Sequence, residues 1–301
     1  MTEIGVVQAG SVLGDTERCL AKLEHWCSEC ARRQLDLAVF PEGFIGGYPK
    51  GLVFGASLGI RTDGGRDLFR QYAECAIEVP GPATARIGTI ARDSNLHLVV
   101  GVIERDGGTL YCTALYFSRS GELLGKHRKL MPTAIERLIW GCGDGSTLNA
   151  FRTDIGTLGG LICWENYMPL ARMAMYAQGV QFYCAPTVDD RDVWIPTLRH
   201  IAREGRCFVL SSCQFLTRDA YPPGWLDSAQ NLPDLPIRGG SCIVSPMGEF
   251  LAQPLYGSEG VLAARVDLAD LTRARFDFDV VGHYARPDVF QFVVNSGPGR
   301  G

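Results

Sequence analysis

Nine apolar runs of strand length punctuate this chain, at 4–10, 37–40, 97–104, 110–117, 158–163, 181–186, 207–215, 241–248 and 260–268. Segments of helical period lie between several of them, at 15–35, 66–77, 83–94, 169–178 and 194–204. Such a chain buries both kinds of element only if the strands pair into sheets and the helices cover the sheet faces, which predicts an α/β fold. Asp106-Gly107-Gly108 is a hairpin signal between two runs, and Met247-Gly248-Glu249 is a weaker one. The sheets are therefore expected to be mixed. No linker, charge block or fixed-period repeat divides the sequence, so a single domain spanning 1–301 is the simplest organisation.

Lys and Arg number 29 against 33 Asp and Glu, a net charge of −4, and the cations are scattered among the acids. That leaves no electrostatic footprint for nucleic acid or an anionic membrane and favours a small-molecule partner. The chain begins without a basic leader followed by an apolar stretch, and no run approaches the roughly 20 residues that span a bilayer. The expected location is cytoplasmic. Eleven cysteines in such a chain are expected to stay reduced. Cys27 and Cys30 form a CxxC, but they recur with Cys19, Leu23 and Trp26 on one helical face, which predicts packing and not redox or zinc chemistry.

Three long connections, 43–65, 130–150 and 216–240, are rich in Gly, Pro and aromatic residues, and loops of that length usually line a pocket or an interface. In LAVFPEGFIGGYPKG a buried-type strand delivers Glu42 to its carboxyl lip, where Pro41 ends the ladder and apolar neighbours would desolvate the carboxyl toward use as a base. In GKHRKLMPTAIERLIWGCGDGS, strand alternation sends Lys126 and Arg128 to one face and His127 and Lys129 to the other, so one face can deliver a cation into a site. Glu136 follows in apolar company that calls for a partner. In LGGLICWENYMPLARMAMYAQG the apolar strand is expected to end at Cys163, with a short turn and then a helix from Pro169. A thiol on a strand-to-helix turn is presented for attack, and backbone N–H groups beyond it can bind a developing anion.

Together FPEGFIGGYPKG, KHRKLMPTAIERLIWGCGDGS and CWENYMPL resemble the nitrilase branch of the nitrilase superfamily. YCAPTVDDRDVW, RHIAREGRCFVLSSCQF, RGGSCIVSPMGE and GHYARPDVF extend the likeness over nearly the whole chain. The resemblance implies a four-layer αββα sandwich and hydrolysis of a nitrile to the acid and ammonia. Cys163 would be the nucleophile, Glu42 the base, Lys129 the electrostatic stabiliser and Glu136 the supporting glutamate. Trp164, Tyr48, Thr133, Pro186 and Thr187 are the candidates for contacts with substrate or oxyanion. No metal or organic cofactor is implied. An amidase or carbamoylase using the same triad is the alternative, and a non-catalytic homologue would be expected to have lost a triad member. The family also implies a homo-oligomer, a dimer at least with helical growth possible, and the apolar load of 216–240 is expected to need such a cover. Gly43 stands where the family more often has Ala, and the tail after Val294 is short.

Overall fold

In the computed structural model, which describes residues 1–297, the apolar runs pair into two facing sheets. The chain runs β1 (Thr2–Gln8), α1 (Thr16–Arg32), β2 (Leu37–Val39), a small hairpin of β3 (Ala56–Ser57) and β4 (Ile60–Arg61), α2 (Asp63–Glu74), α3 (Pro82–Asp93), β5 (His97–Asp106), β6 (Thr109–Phe117) and β7 (Leu123–Arg128). It continues through β8 (Phe151–Thr153), β9 (Gly156–Gly160), α4 (Pro169–Ala177), β10 (Phe182–Thr187), α5 (Trp194–Gly205), β11 (Phe208–Cys213), β12 (Phe215–Leu216), α6 (Pro223–Ser228), β13 (Ile237–Val244), β14 (Phe250–Tyr256), β15 (Gly260–Val266) and α7 (Ala269–Arg275). One sheet has the order β15-β1-β2-β5-β6-β7; the other has β12-β13-β11-β10-β9-β8, with β14 paired to β13. Strands β1, β2 and β5 are parallel, as are β9, β10 and β11, and the remaining pairs are antiparallel. The sheets are thus mixed, and both hairpin signals fall at antiparallel turns.

Side-chain alternation sorts the layers. Along β10, Phe182 and Cys184 enter a core shared by the two sheets, while Tyr183 and Ala185 point outward to α4 and α5. Along β5, Val99 and Ile103 face that shared core, and Leu98, Val100 and Val102 pack under α1 and α3. Helix, sheet, sheet, helix is the αββα arrangement expected. Helix α1 starts where Asp15 caps it, accepting from Arg18 N at 2.9 Å, and it buries Cys19, Leu20, Leu23, Cys27 and Cys30 on one face. The CxxC is packing, and ten of the eleven cysteines, all free, are buried.

Strands β8 and β14 lie outside the nine predicted runs because half-exposed edge strands lack a continuous apolar sequence. Part of the apolar load of 216–240 is covered by this chain itself: Tyr221, Trp225 and Ile237 are buried, whereas Leu235 is 37% exposed. Trp225 sits on α6, its ring 6.1 Å from that of Tyr72 and its Nε1 donating to Gln71 Oε1 at 3.0 Å. This part of the loop folds back over α2.

Candidate active site

Glu42, Lys129 and Cys163 each follow the carboxyl end of a strand, β2, β7 and β9. Strand β7 runs parallel to β2 because the turns from β5 to β6 and from β6 to β7 each reverse direction, so Glu42 and Lys129 emerge on the same rim. After β2, the chain crosses over β5 at Gly101, where a Cβ would stand 2.2 Å from Pro41 O and 2.7 Å from Glu42 Cα. Only glycine permits that approach. Gly43 then takes φ +58°, a left-handed turn that alanine would adopt only under strain. From the facing sheet, Gln214 Nε2 donates to Glu42 O at 2.8 Å and fixes the backbone of the turn.

The pleat of β7 divides its four basic residues as alternation requires. Lys126 and Arg128 turn to Glu104, whereas His127 and Lys129 are buried on the other face. Lys129 Nζ donates to Glu42 Oε1 at 2.7 Å and to Glu136 Oε2 at 2.8 Å. Glu136 finds the partners its surroundings demanded: it also accepts from Thr133 N at 2.6 Å and Tyr48 OH at 2.7 Å. Two carboxylates therefore clamp one ammonium group, Glu42 from 87 positions away and Glu136 from 7.

Strand β9 stops at Gly160, three residues short of the expected end, and a 3₁₀ turn, Cys163–Tyr167, leads into α4 at Pro169. Cys163 itself has φ +49°, a sparsely populated conformation for a residue with a Cβ, held by the surrounding structure. Asn166 Nδ2 donates to Cys163 O at 2.8 Å and to Leu161 O at 2.9 Å, and Tyr183 OH donates to Asn166 Oδ1 at 2.8 Å. Thr187 Oγ1 donates to Cys163 Sγ at 3.1 Å.

Burial sets the resting charges. It raises the Glu42 carboxyl above the ordinary carboxylate range, with the Glu136 charge adding to the rise and Lys129 opposing it. Burial pushes Lys129 down, but the negative charge of Glu42, with that of Glu136, outweighs it and holds the ammonium charged. Burial and the Glu42 charge drive the Cys163 thiol far up, against the pull of Lys129. The thiol is therefore protonated at rest, and the group available to take its proton is Glu42, whose Oε2 is buried without a hydrogen-bond partner.

A cleft of about 260 Å³ opens beside Cys163, with Tyr48, Thr133, Glu136 and Trp164 among its walls. Trp164 stands at its mouth, 39% exposed, with Nε1 donating to Asp189 Oδ2 at 2.8 Å and the Arg191 guanidinium 4.9 Å above its ring. Of the predicted contact residues, Tyr48, Thr133 and Trp164 line the cleft. Thr187 instead touches the sulfur, and Pro186 is buried in β10 and is not among the lining residues. Two larger hollows, about 780 and 760 Å³, contain none of Glu42, Lys129, Glu136 or Cys163.

Sequence reasoning missed a brace behind this site. The buried Glu165 accepts from Leu130 N at 2.6 Å, Ile162 N at 2.8 Å and His127 Nε2 at 3.0 Å, tying the segment that carries Lys129 to the turn that carries Cys163. The available signal was a lone acid in the turn CWENY together with His127 on the same β7 face as Lys129.

The model of the carbon-nitrogen hydrolase family matches residues 3–276. An aliphatic nitrilase from Sinorhizobium fredii is 55% identical over 97% of this chain and 95% of its own length, and Nitrilase 1 of Arabidopsis thaliana is 49% identical over 98% and 87%. Among solved structures, a Saccharomyces cerevisiae member of branch 10 of the nitrilase superfamily superposes with a TM-score of 0.72 at 20% identity, covering 94% of this chain and 96% of its own. An amidase variant from Nesterenkonia sp. AN1, bearing an acrylamide adduct on its active-site cysteine, gives 0.69 at 20% identity over 92% and 98%. With the αββα sandwich shared by distant structures and half of all positions shared with full-length relatives, this chain belongs to the carbon-nitrogen hydrolase family.

Proposed function

We propose that this chain is a nitrilase that converts an organic nitrile to the carboxylic acid and ammonia through a covalent intermediate on Cys163. The observation that carries the reading is the buried Lys129 ammonium clamped between Glu42 and Glu136, beside a thiol on a left-handed turn. A nitrile carbon is a modest electrophile whose attack drives charge onto nitrogen, so it needs a strong nucleophile, a proton acceptor that becomes a donor, and a fixed cation. Glu42 takes the Cys163 proton, and the thiolate attacks the nitrile carbon to give a thioimidate as protons reach nitrogen. A water deprotonated by Glu42 adds to the thioimidate carbon, and ammonia leaves to give the thioester. A second water releases the acid and restores the thiol. Lys129 holds positive charge near the developing anion throughout.

The amidase alternative is not favoured: the relatives at 49% and 55% identity carry nitrilase names, whereas the amidase likeness is 20% identical and speaks to fold alone. Ammonia release from a nitrile and from its matching amide tests the choice. The nitrile should be turned over with acid as the major product and an adduct on Cys163 in the intact mass, and turnover of the amide alone overturns the reading.

The chain is read as one domain, since a single core is shared by both sheets. No helix among the described residues is long and apolar enough to cross a membrane. We further propose a homodimer at least, on the family resemblance. Light scattering at micromolar concentration tests it, and a stable, active monomer would refute it.

A further inference from the structure

We infer that Cys112 is a positioning residue for the reaction: its thiol and its carbonyl hold Glu42 and Lys129 in the arrangement that leaves Glu42 Oε2 to the Cys163 proton. This rests on the reading of Glu42 as the base. Cys112 lies within β6, 1% exposed, with Sγ 3.5 Å from Glu42 Oε1, a normal separation for a weak S–H donor and a carboxylate. Its carbonyl accepts from Lys129 N at 2.8 Å. One residue thus grips the side chain of the base and the backbone of the cation.

The pattern on the carboxylate is lopsided. Oε1 takes two donors, the Lys129 ammonium and the Cys112 thiol, while Oε2 has none. A carboxylate turns readily about its last bond, where the torsion is broad and roughly two-fold. Two donors in different directions on one oxygen stop that turning and keep the empty oxygen where it is. Burial, joined by the Glu42 charge, keeps the Cys112 thiol protonated, so it acts as a standing donor and not as a second nucleophile. Burial raises the Glu42 carboxyl, and a thiol donating to the ionised form works against that rise.

The test compares Cys112→Ala, which deletes the donor, with Cys112→Ser, which keeps a shorter one. Both are assayed by ammonia release against pH, with rates normalised to the Cys163 sites that form an adduct with a slow substrate. Glu42 is active as the carboxylate, so activity falls as pH drops through its pKa. Losing a donor raises that pKa and moves the acid limb of kcat/KM upward. Cys112→Ala should move the limb up by about half to one pH unit and lower kcat roughly tenfold with little change in KM. Cys112→Ser should return the limb to the wild-type position or below it.

A mere packing role would reduce the amount of active enzyme without moving the limb. An unmoved limb in Cys112→Ala, or an upward shift in Cys112→Ser, overturns the inference. Should Cys112→Ala fail to fold, Cys112→Val, which also carries no donor, takes its place: an upward shift of the limb supports the role, and an unmoved limb overturns it. Glu42→Gln in the same assay keeps the two failures apart. Retained activity there refutes Glu42 as base, whereas a dead Glu42→Gln beside a wild-type limb in Cys112→Ala refutes only the role of Cys112.

Discussion

Strand β7 and the residue just past it meet buried carboxylates on both faces, and two of them, Glu104 on one face and Glu42 on the other, are built to opposite ends. Glu104 accepts from Thr113 Oγ1 at 2.9 Å, from Arg128 Nε at 3.0 Å and Nη2 at 2.6 Å, and from Lys126. Burial works to raise its pKa, but these donors outweigh it and hold the carboxyl below the ordinary range. Glu42 has one cation, shared with a second carboxylate, and one oxygen with no partner, and its carboxyl sits above that range. Burial is common to both. What separates a structural acid from a reactive one here is how many donors reach it and from which side.

The largest effect expected from this contrast is at Glu42. Glu42→Gln preserves shape and removes the proton acceptor, so the rate per folded enzyme should fall by several orders of magnitude while the denaturation midpoint changes little. Glu104→Gln should invert the result: stability falls by about 2–4 kcal/mol, because Lys126 and Arg128 lose their shared anion, and the folded fraction keeps near wild-type turnover. Denaturant melts beside ammonia assays on both variants check the pair. If Glu104→Gln slows turnover as much as Glu42→Gln does, the division between the faces of β7 is wrong.

A smaller effect should follow from loosening the brace that joins the two halves of the site. Glu165→Gln keeps its volume but cannot accept from Leu130 N, Ile162 N and His127 together, so Lys129 and Cys163 should drift relative to each other. Near-attack geometry is sensitive to displacements of about 1 Å, and kcat should drop roughly ten- to a hundredfold with KM much less affected. An equal change in kcat and KM, or none in either, would show that Glu165 does not set the relative position of Lys129 and Cys163.

Much of the fold was legible because it is written locally. The period-two runs and the helical segments gave the layers, and the alternation along β7 divided four consecutive basic residues between two faces, with Lys129 singled out by the family resemblance. Glu42, Lys129 and Cys163 were likewise visible, since each closes an apolar strand or follows a strand end where backbone turns carry side chains into a cleft. Strand β14 was not legible: one side is open, so its sequence alternates without a continuous apolar run.

By itself the sequence determined the elements, the ends at which they deliver chemistry, and the types of group delivered. Only the tertiary structure decided which groups meet. Glu42 lies 87 positions from Lys129 and 70 from Cys112, and His127 lies 38 from Glu165. It also decided that part of the aromatic loop 216–240 closes over its own chain. The physical reason is that propensity and period act within a turn or a strand. The protonation of a buried acid depends on every donor that reaches it, and two sheets must close before those donors are counted.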